Sequence, residues 1–137
     1  MESAAPTVYL VDDEPDVLRA LSRLLRSDGL NVRTFEDGIT FIAQVGQDAI
    51  GCALLDLSMP ELDGLAVQRL MADMGCRLPV VFLTGNGDAI ARAEAMQLGA
   101  LAFLSKPVDA DELLGAVRAA LAASVAVHAS GQAEGVR

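Results

Sequence analysis

Five side chains that could bind a cation or a phosphoryl group follow short apolar runs in the 137-residue sequence. Asp12 and Asp13 follow the first run, Asp56 ends the second, Thr84 follows the third, and Lys106 lies just beyond the fourth. If these runs are strands of one parallel sheet, their carboxyl ends lie at one edge, where doubly wound proteins carry their working residues. Three carboxylates, a hydroxyl and an ammonium would then share one site.

Three converging carboxylates are costly unless something compensates their charge. At roughly 5 Å and an effective dielectric near 20, each pair repels by about 3 kcal/mol. Either one acid is protonated or a cation lies among them. Oxygen ligands at a solvent-accessible edge suit Mg²⁺, and Lys106 supplies one further positive charge. The residue types therefore predict a Mg²⁺ site.

Alternation of short apolar runs with helical periodicity predicts the elements that position these residues. Strands are predicted at 8–11, 31–35, 52–57, 79–83 and 101–104, and helices at 14–27, 38–45, 65–74, 89–98 and 109 to about 123. Asp88 and Asp109 are the predicted N-caps of the last two helices. Five β-then-α units predict an α/β fold, with a doubly wound parallel sheet between two layers of helices. Residues 1–6 are interpreted as an extension, 7–123 as the domain, and 124–137 as a tail or linker.

Composition excludes several classes of protein. Hydrophobic residues make up 53% of the chain and charged residues 21%, which is incompatible with intrinsic disorder. The net charge is −9, and the ten basic residues form no stripe that could neutralise phosphates, so we expect no nucleic-acid binding through this chain. It has no run of about 20 mostly apolar residues and no leader peptide, so we expect a cytoplasmic protein that does not contact a membrane.

The motifs also resemble those of a known family. The acidic pair at 12–13, the run 54–60 with Asp63-Gly64, Thr84-Gly85 and Lys106-Pro107 are similar to the receiver domain of bacterial response regulators. The resemblance covers about residues 7–123, and segments 84–88 and 99–107 are closest to FixJ-like receivers. It implies a flavodoxin-like (βα)5 sandwich with strand order 2-1-3-4-5.

Position by position, the resemblance implies that Asp56 is the phosphoacceptor. It implies Mg²⁺ ligation by Asp13, Asp56 and the backbone carbonyl of Ser58, with Asp12 acting mainly through a metal-bound water. Ser58 and Asn86, two residues past Asp56 and Thr84, would flank the path of an attacking water. Neither is a strong general base, which predicts slow hydrolysis of the phosphoryl group.

The resemblance also implies roles for four residues on the other side of the phosphoryl group. Lys106 would pair with one phosphoryl oxygen and Thr84 would donate its hydroxyl to another. Gly85 would leave space for the group, and Phe103 occupies the family's aromatic switch position. Plain core packing is an equally good interpretation of Phe103.

These roles together imply a phosphorylation-controlled switch that takes a phosphoryl group from a sensor histidine kinase. Such a protein catalyses only its own phosphotransfer and dephosphorylation and is not an enzyme in the usual sense. Receivers of the FixJ kind usually precede a DNA-binding domain, so the chain is interpreted as the regulatory part of a transcription regulator. Two alternatives stay open: a Mg²⁺-dependent aspartyl-phosphate hydrolase, and a pseudo-receiver that only binds partners.

The output surface is predicted on the fourth helix and fifth strand. If Ala89, Ala93 and Met96 form the buried stripe of this helix, then Ile90, Ala91 and Leu98 face solvent. We expect phosphorylation to promote a homodimer through this surface. Arg92 and Glu94 would supply polar contacts at its rim.

Overall fold

The computed structural model describes residues 5–85 and 89–136, with side chains up to Ser124. Five parallel strands form one sheet in the order β2-β1-β3-β4-β5. The strands are β1 (Thr7–Val11), β2 (Asn31–Phe35), β3 (Gly51–Asp56), β4 (Val80–Thr84) and β5 (Ala102–Ser105). The helices are α1 (Pro15–Ser27), α2 (Gly38–Gln44), α3 (Gly64–Met74), α4 (Ala89–Gln97) and α5 (Ala110–Val136). This confirms the predicted doubly wound flavodoxin-like fold and its strand order.

Each face of the sheet has its own apolar core. On one face, leucines of α1 and the Leu113 and Val117 side chains of α5 pack against Val8, Leu10 and Leu54. On the other face, α2, α3 and α4 cover a second core that includes Phe41, Val67 and Phe82. Alternate residues of a strand point to opposite faces, so the central strands must be apolar throughout. All six residues of β3 are accordingly buried.

Aspartates begin three of the helices. Asp37 accepts a hydrogen bond from the Thr40 N–H, Asp63 from Ala66 and Asp109 from Glu112. Each bond satisfies a backbone N–H that has no partner inside its helix. The predicted cap at Asp109 is confirmed, whereas Asp88 lies outside the described residues.

The predicted end of the last helix is wrong. We predicted that the helix ends at about residue 123, but α5 continues to Val136. The interpretation of residues 124–137 as a tail or linker stays a prediction. Alanine makes up six of the eleven residues from 116 to 126, no proline follows Pro107, and alanine has the highest helix propensity of all residues. Ser124, 1% exposed, accepts a hydrogen bond from the Gly51 N–H, which joins α5 to the start of β3. β5 lies at the edge of the sheet and is only half-buried, unlike the central strands.

Backbone hydrogen bonds connect the strand ends that carry the candidate residues. The N–H of Leu57, just after β3, donates to the Leu83 carbonyl at 2.8 Å. The N–H of Lys106, just after β5, donates to the Thr84 carbonyl at 2.8 Å. The loop from β3 returns closely, since the Gly64 N–H donates to Leu57 at 3.1 Å. The carboxyl edge is therefore braced from β3 to β5.

Gly64 permits this close return and provides a test of the packing. An added Cβ would lie 2.5 Å from the Asp56 carbonyl oxygen and 2.8 Å from the Phe82 ring. We expect Gly64→Ala to lower the free energy of unfolding by about 1–3 kcal/mol through overpacking. Urea denaturation followed by circular dichroism measures the change.

Gly115→Ala is the matched control, because a Cβ there meets no atom within 4 Å and the residue lies inside α5. It should raise the free energy of unfolding by up to about 1 kcal/mol. Equal effects of the two substitutions would contradict the packing described for Gly64.

Candidate functional site

Three aspartates meet at the carboxyl ends of β1 and β3. Asp12 and Asp56 are buried at 0% and 3% exposure, and Asp13 is exposed. One carboxylate oxygen from each can be chosen so that all three lie within 4.8 Å of one another. This convergence follows from the pairing of β1 with β3, in which Val11 lies opposite Leu55.

Lys106 provides the positive charge at this cluster. Its Nζ lies 2.8 Å from Asp12 Oδ2, 2.7 Å from Glu14 Oε1 and 3.5 Å from Asp56 Oδ2. The side chain is only 16% exposed. One ammonium therefore contacts three carboxylates, and it lies farthest from the one that the sequence suggests as phosphoacceptor.

Backbone N–H groups hold the other oxygens of the two buried acids. The Glu14 N–H donates to Asp12 Oδ1 at 2.9 Å, and the Ser58 N–H donates to Asp56 Oδ1 at 3.2 Å. In each of these two side chains, one carboxylate oxygen accepts a hydrogen bond from a backbone N–H and the other is directed toward Lys106. Hydrogen bonds of this kind restrain the rotation of both carboxylates.

Burial dominates the electrostatics of Asp56. Loss of water and the nearby charge of Asp12 raise its pKa from 3.8 to about 7, and Lys106 and the Ser58 N–H only partly oppose the rise. For Lys106, burial lowers the pKa, but hydrogen bonds to Asp12 and Glu14 and the charges of Asp12 and Asp56 outweigh it. The pKa of Lys106 is therefore raised, and the ammonium stays charged.

The acids open onto a cavity of about 260 Å³. It is lined by Asp13, Glu14, Asp56, Ser58, Gly85 and Lys106. A Cβ on Gly85 would meet no atom within 4 Å, so the protein's own packing does not demand glycine there. The cavity gives a small anionic group access to Asp56 from solvent.

These residues fit a magnesium ion. The donors are carboxylate oxygens of Asp12, Asp13 and Asp56, the hard ligands that Mg²⁺ prefers, and the open cavity leaves room for water ligands. A cation would also offset the repulsion that raises the pKa of Asp56.

Thr84 and Phe103 lie beside this cavity on β4 and β5. Thr84 is half-buried and lines an adjoining cavity of about 320 Å³ together with Ser58. The half-buried Phe103 ring stacks on Phe82, with centroids 5.3 Å apart, and the Arg92 guanidinium lies 5.4 Å from its centroid. Phe103 thus packs against the core while one face remains accessible to α4. Asn86 lies outside the described residues.

The predicted buried stripe of α4 is wrong. Ala89, Ala93 and Met96 are exposed, and the buried residue is Ala95, with Ala91 half-buried against the core. The prediction that Ala91 faces solvent is therefore corrected. Four of the nine residues of α4 are alanine, so its sequence carries little information about which face is buried. Ile90 and Leu98, 76% and 41% exposed, do face solvent.

Two polar residues of α4, Arg92 and Glu94, contact other elements of the chain. Glu94 Oε2 accepts a 2.6 Å hydrogen bond from Arg69 of α3, and Arg92 covers Phe103. The ion pair joins α3 to α4 at the surface, where both side chains are about half-exposed. Arg92 is exposed and Glu94 is half-exposed, and their place at the rim of a homodimer stays a prediction.

Glu14 is the contact that sequence reasoning missed. We interpreted it only as the residue where the chain turns into α1, and it is indeed the N-cap residue of that helix. Its side chain nevertheless reaches Lys106 at 2.7 Å. The available signal was its position next to the acidic pair, on the strand end that faces Lys106.

The raised pKa of Asp56 predicts a pH-dependent stability without metal. Between pH 4 and about 7 the native state keeps a proton that the unfolded chain releases, so ionisation of Asp56 destabilises the fold as pH rises. Asp56→Asn removes this effect. In EDTA, the free energy of unfolding of Asp56→Asn minus that of wild type should increase by on the order of 2–4 kcal/mol between pH 4 and about 7. Above that pH the difference should stay constant.

Urea denaturation at several pH values measures the difference, and Asp73→Asn, an exposed acid on α3, is the control. A constant difference between Asp56→Asn and wild type from pH 4 to 8 would refute the raised pKa.

Comparisons with known proteins agree with this geometry. The family model of the response regulator receiver domain matches residues 8–118. Response regulator protein TmoT of Ectopseudomonas mendocina is 45% identical over 121 residues, which cover 88% of this chain and 55% of TmoT. Transcriptional regulatory protein TdiR of Thauera aromatica is 43% identical over 118 residues, covering 86% of this chain and 52% of TdiR. The chain thus spans about half the length of these curated relatives.

Solved structures show the same similarity. Response regulator StyR superimposes with a TM-score of 0.91 at 34% identity, over 96% of this chain and 66% of StyR. FixJ-N superimposes with a TM-score of 0.79 at 31% identity, over 87% of this chain and 95% of FixJ-N. Within residues 5–85 and 89–136, no helix combines the length and apolar character needed to cross a membrane. The chain belongs to the response regulator receiver domain family.

Proposed function

We propose that this chain is a phosphorylation-controlled signalling switch that accepts a phosphoryl group on Asp56 from a sensor histidine kinase. The observation that carries the proposal is the position of Asp56. It is buried, it opens onto a cavity accessible from solvent, and Lys106 Nζ lies 3.5 Å from its free oxygen. Membership of the receiver family supports the same role.

Phosphotransfer requires Asp56 to act as a nucleophile. An Oδ of Asp56 attacks the phosphorus of a phosphohistidine, a P–O bond forms, the P–N bond breaks, and the imidazole leaves with the electron pair and takes up a proton. The Ser58 N–H holds Oδ1, which leaves Oδ2 directed toward the cavity and Lys106. The carboxylate must be ionised to attack, so the positive charges around it determine its reactivity.

Asp12, Asp13 and Asp56 would hold Mg²⁺, together with the backbone carbonyl of Ser58, and Asp12 would act mainly through a water. When bound, the ion neutralises charge on the transferring phosphoryl group and orients it for in-line attack. Lys106 then pairs with one phosphoryl oxygen and Thr84 donates to another. Ser58 and Asn86 are not strong bases, which favours slow hydrolysis by water.

The conformational output would pass through β4 and β5 to α4. Lys106 and Thr84 are joined by a backbone hydrogen bond, so a pull on either is felt by both strands. Phe103 of β5 would be the next residue on this route, because its ring stacks on Phe82 of β4 and contacts Arg92 of α4. A homodimer through exposed Ile90 and Leu98 would be the partner contact. A change of a few kcal/mol at this surface suffices to shift a two-state population.

The wider role follows from the relatives. TdiR is a transcriptional regulatory protein, and this chain spans about half of such relatives. We infer a cytoplasmic regulatory domain of a transcription regulator, in which DNA binding belongs to a part outside this chain. In this role it catalyses only its own phosphotransfer and dephosphorylation.

Phosphorylation of Asp56 is the first test. Incubation with Mg²⁺ and acetyl phosphate should add one phosphoryl group per chain, measured by intact-protein mass spectrometry. Asp56→Asn should abolish the addition because it removes the nucleophile, whereas Asp73→Asn should leave it unchanged. Equal incorporation into Asp56→Asn would exclude Asp56 as the acceptor, and continuous release of phosphate from small phosphomonoesters would favour a hydrolase.

Metal binding is the second test. Asp13→Asn should weaken Mg²⁺ binding about tenfold or more, measured by isothermal titration calorimetry, because it removes a carboxylate ligand. Asp16→Asn removes a nearby exposed charge without touching the cavity of the acidic site. If both substitutions weaken Mg²⁺ binding equally, the affinity depends only on the overall negative charge of this region. The assignment of Asp13 as a ligand is then wrong.

A further inference from the structure

Glu14 makes an ion pair that the proposed phosphotransfer does not use. Its Oε1 lies 2.7 Å from Lys106 Nζ, nearer than the 3.5 Å separating that nitrogen from Asp56 Oδ2. The Glu14 side chain is 58% exposed, while Lys106 is only 16% exposed. An exposed acid thus holds the cation that a phosphoryl group on Asp56 would need.

The backbone of Glu14 is fixed independently of this contact. Its N–H donates to Asp12 Oδ1 at 2.9 Å and its carbonyl accepts from the Leu18 N–H at 3.1 Å. The side chain therefore projects from a rigid helix start, and replacing its carboxylate leaves that start intact. Its effect on Lys106 can be separated from folding.

We infer that Glu14 is a positioning residue that draws Lys106 away from Asp56 and competes with the phosphoryl group for the ammonium. This inference rests on the proposed function. Lys106 carries three N–H groups, and its charge must stay beside Asp12, which is fully buried and whose Oδ2 lies 2.8 Å from Nζ. A phosphoryl group on Asp56 carries more negative charge than the carboxylate it replaces, so it attracts Lys106 more strongly. Because the Glu14 contact is exposed and screened, it is the one that yields.

This competition sets a threshold for activation, because a phosphoryl group on Asp56 must displace Glu14 from Lys106. In the resting state, Glu14 compensates part of the charge of Lys106 and lowers its attraction for an anionic ligand at Asp56. Removing the Glu14 charge should therefore strengthen binding of a phosphoryl analogue. Exposed ion pairs of this kind correspond to about a two- to fivefold change in affinity.

Beryllofluoride with Mg²⁺ is the probe, and Glu14→Gln is the test variant. We expect Glu14→Gln to bind beryllofluoride about two- to fivefold more tightly than wild type by isothermal titration calorimetry at about 0.15 M salt, where distant charges are screened. Asp16→Asn is the control: it removes one exposed acid on the same helix start, and this acid pairs with Arg19 rather than Lys106. It should bind like wild type.

A direct readout is available because Lys106 is the only lysine in the sequence. Protein labelled with carbon-13 and nitrogen-15 lysine gives one set of lysine NMR signals, all from Lys106. The ε-methylene signals of Glu14→Gln and wild type should differ in the free proteins. They should coincide once Mg²⁺ and beryllofluoride are bound, because Lys106 has then left Glu14.

The outcomes separate this inference from the proposed function. If beryllofluoride does not bind to wild type, the phosphoacceptor assignment fails. If it binds, but Glu14→Gln shows unchanged or weaker affinity, Glu14 does not compete and the inference is overturned. Equal strengthening by Asp16→Asn, or lysine signals that still differ in the bound states, would likewise overturn it.

Discussion

Asp12 holds a carboxylate that has no exposed surface, and Lys106 Nζ lies 2.8 Å from it. A buried charge without a partner costs several kcal/mol, so this pair fixes where the lysine must lie. The same ammonium lies 3.5 Å from Asp56 Oδ2, and its charge only partly opposes the loss of water and the charge of Asp12, which raise the pKa of Asp56 to about 7. The site is thus short of positive charge at its most reactive position. A divalent cation would relieve this shortage, whereas a phosphoryl group on Asp56 would add negative charge and increase the demand for the cation and for Lys106.

The sheet order makes this arrangement possible. β1 is paired with β3, which brings the acids at 12 and 13 beside Asp56. β4 separates β3 from β5, so Lys106 reaches across the end of β4 to meet them. Two backbone hydrogen bonds, from Leu57 to Leu83 and from Lys106 to Thr84, hold the ends of β3, β4 and β5 together. The backbone hydrogen bond from Lys106 to Thr84 thus links the position of this lysine to the end of β4.

Much of this could be predicted from the sequence, because the relevant signals are local and strong. Buried parallel strands are continuous apolar runs, and polar residues at their carboxyl ends mark the site. The buried face of α4 could not be predicted, since four of its nine residues are alanines, which have little preference for a buried or an exposed position. The length of α5 was underestimated because Ser and Gly suggested a linker, whereas the high alanine content favours a helix. The Glu14 contact depends on a long-range distance, which composition and spacing do not encode.

The central claim is that the charge arrangement serves an acyl phosphate on Asp56. Borohydride reduction of the chain after reaction with acetyl phosphate and Mg²⁺, followed by tandem mass spectrometry, tests it most directly. Borohydride converts an aspartyl phosphate to homoserine and leaves free carboxylates unchanged. The account predicts homoserine at position 56 alone. Homoserine at Asp12, Asp13 or Glu14, or none at any position, would contradict it.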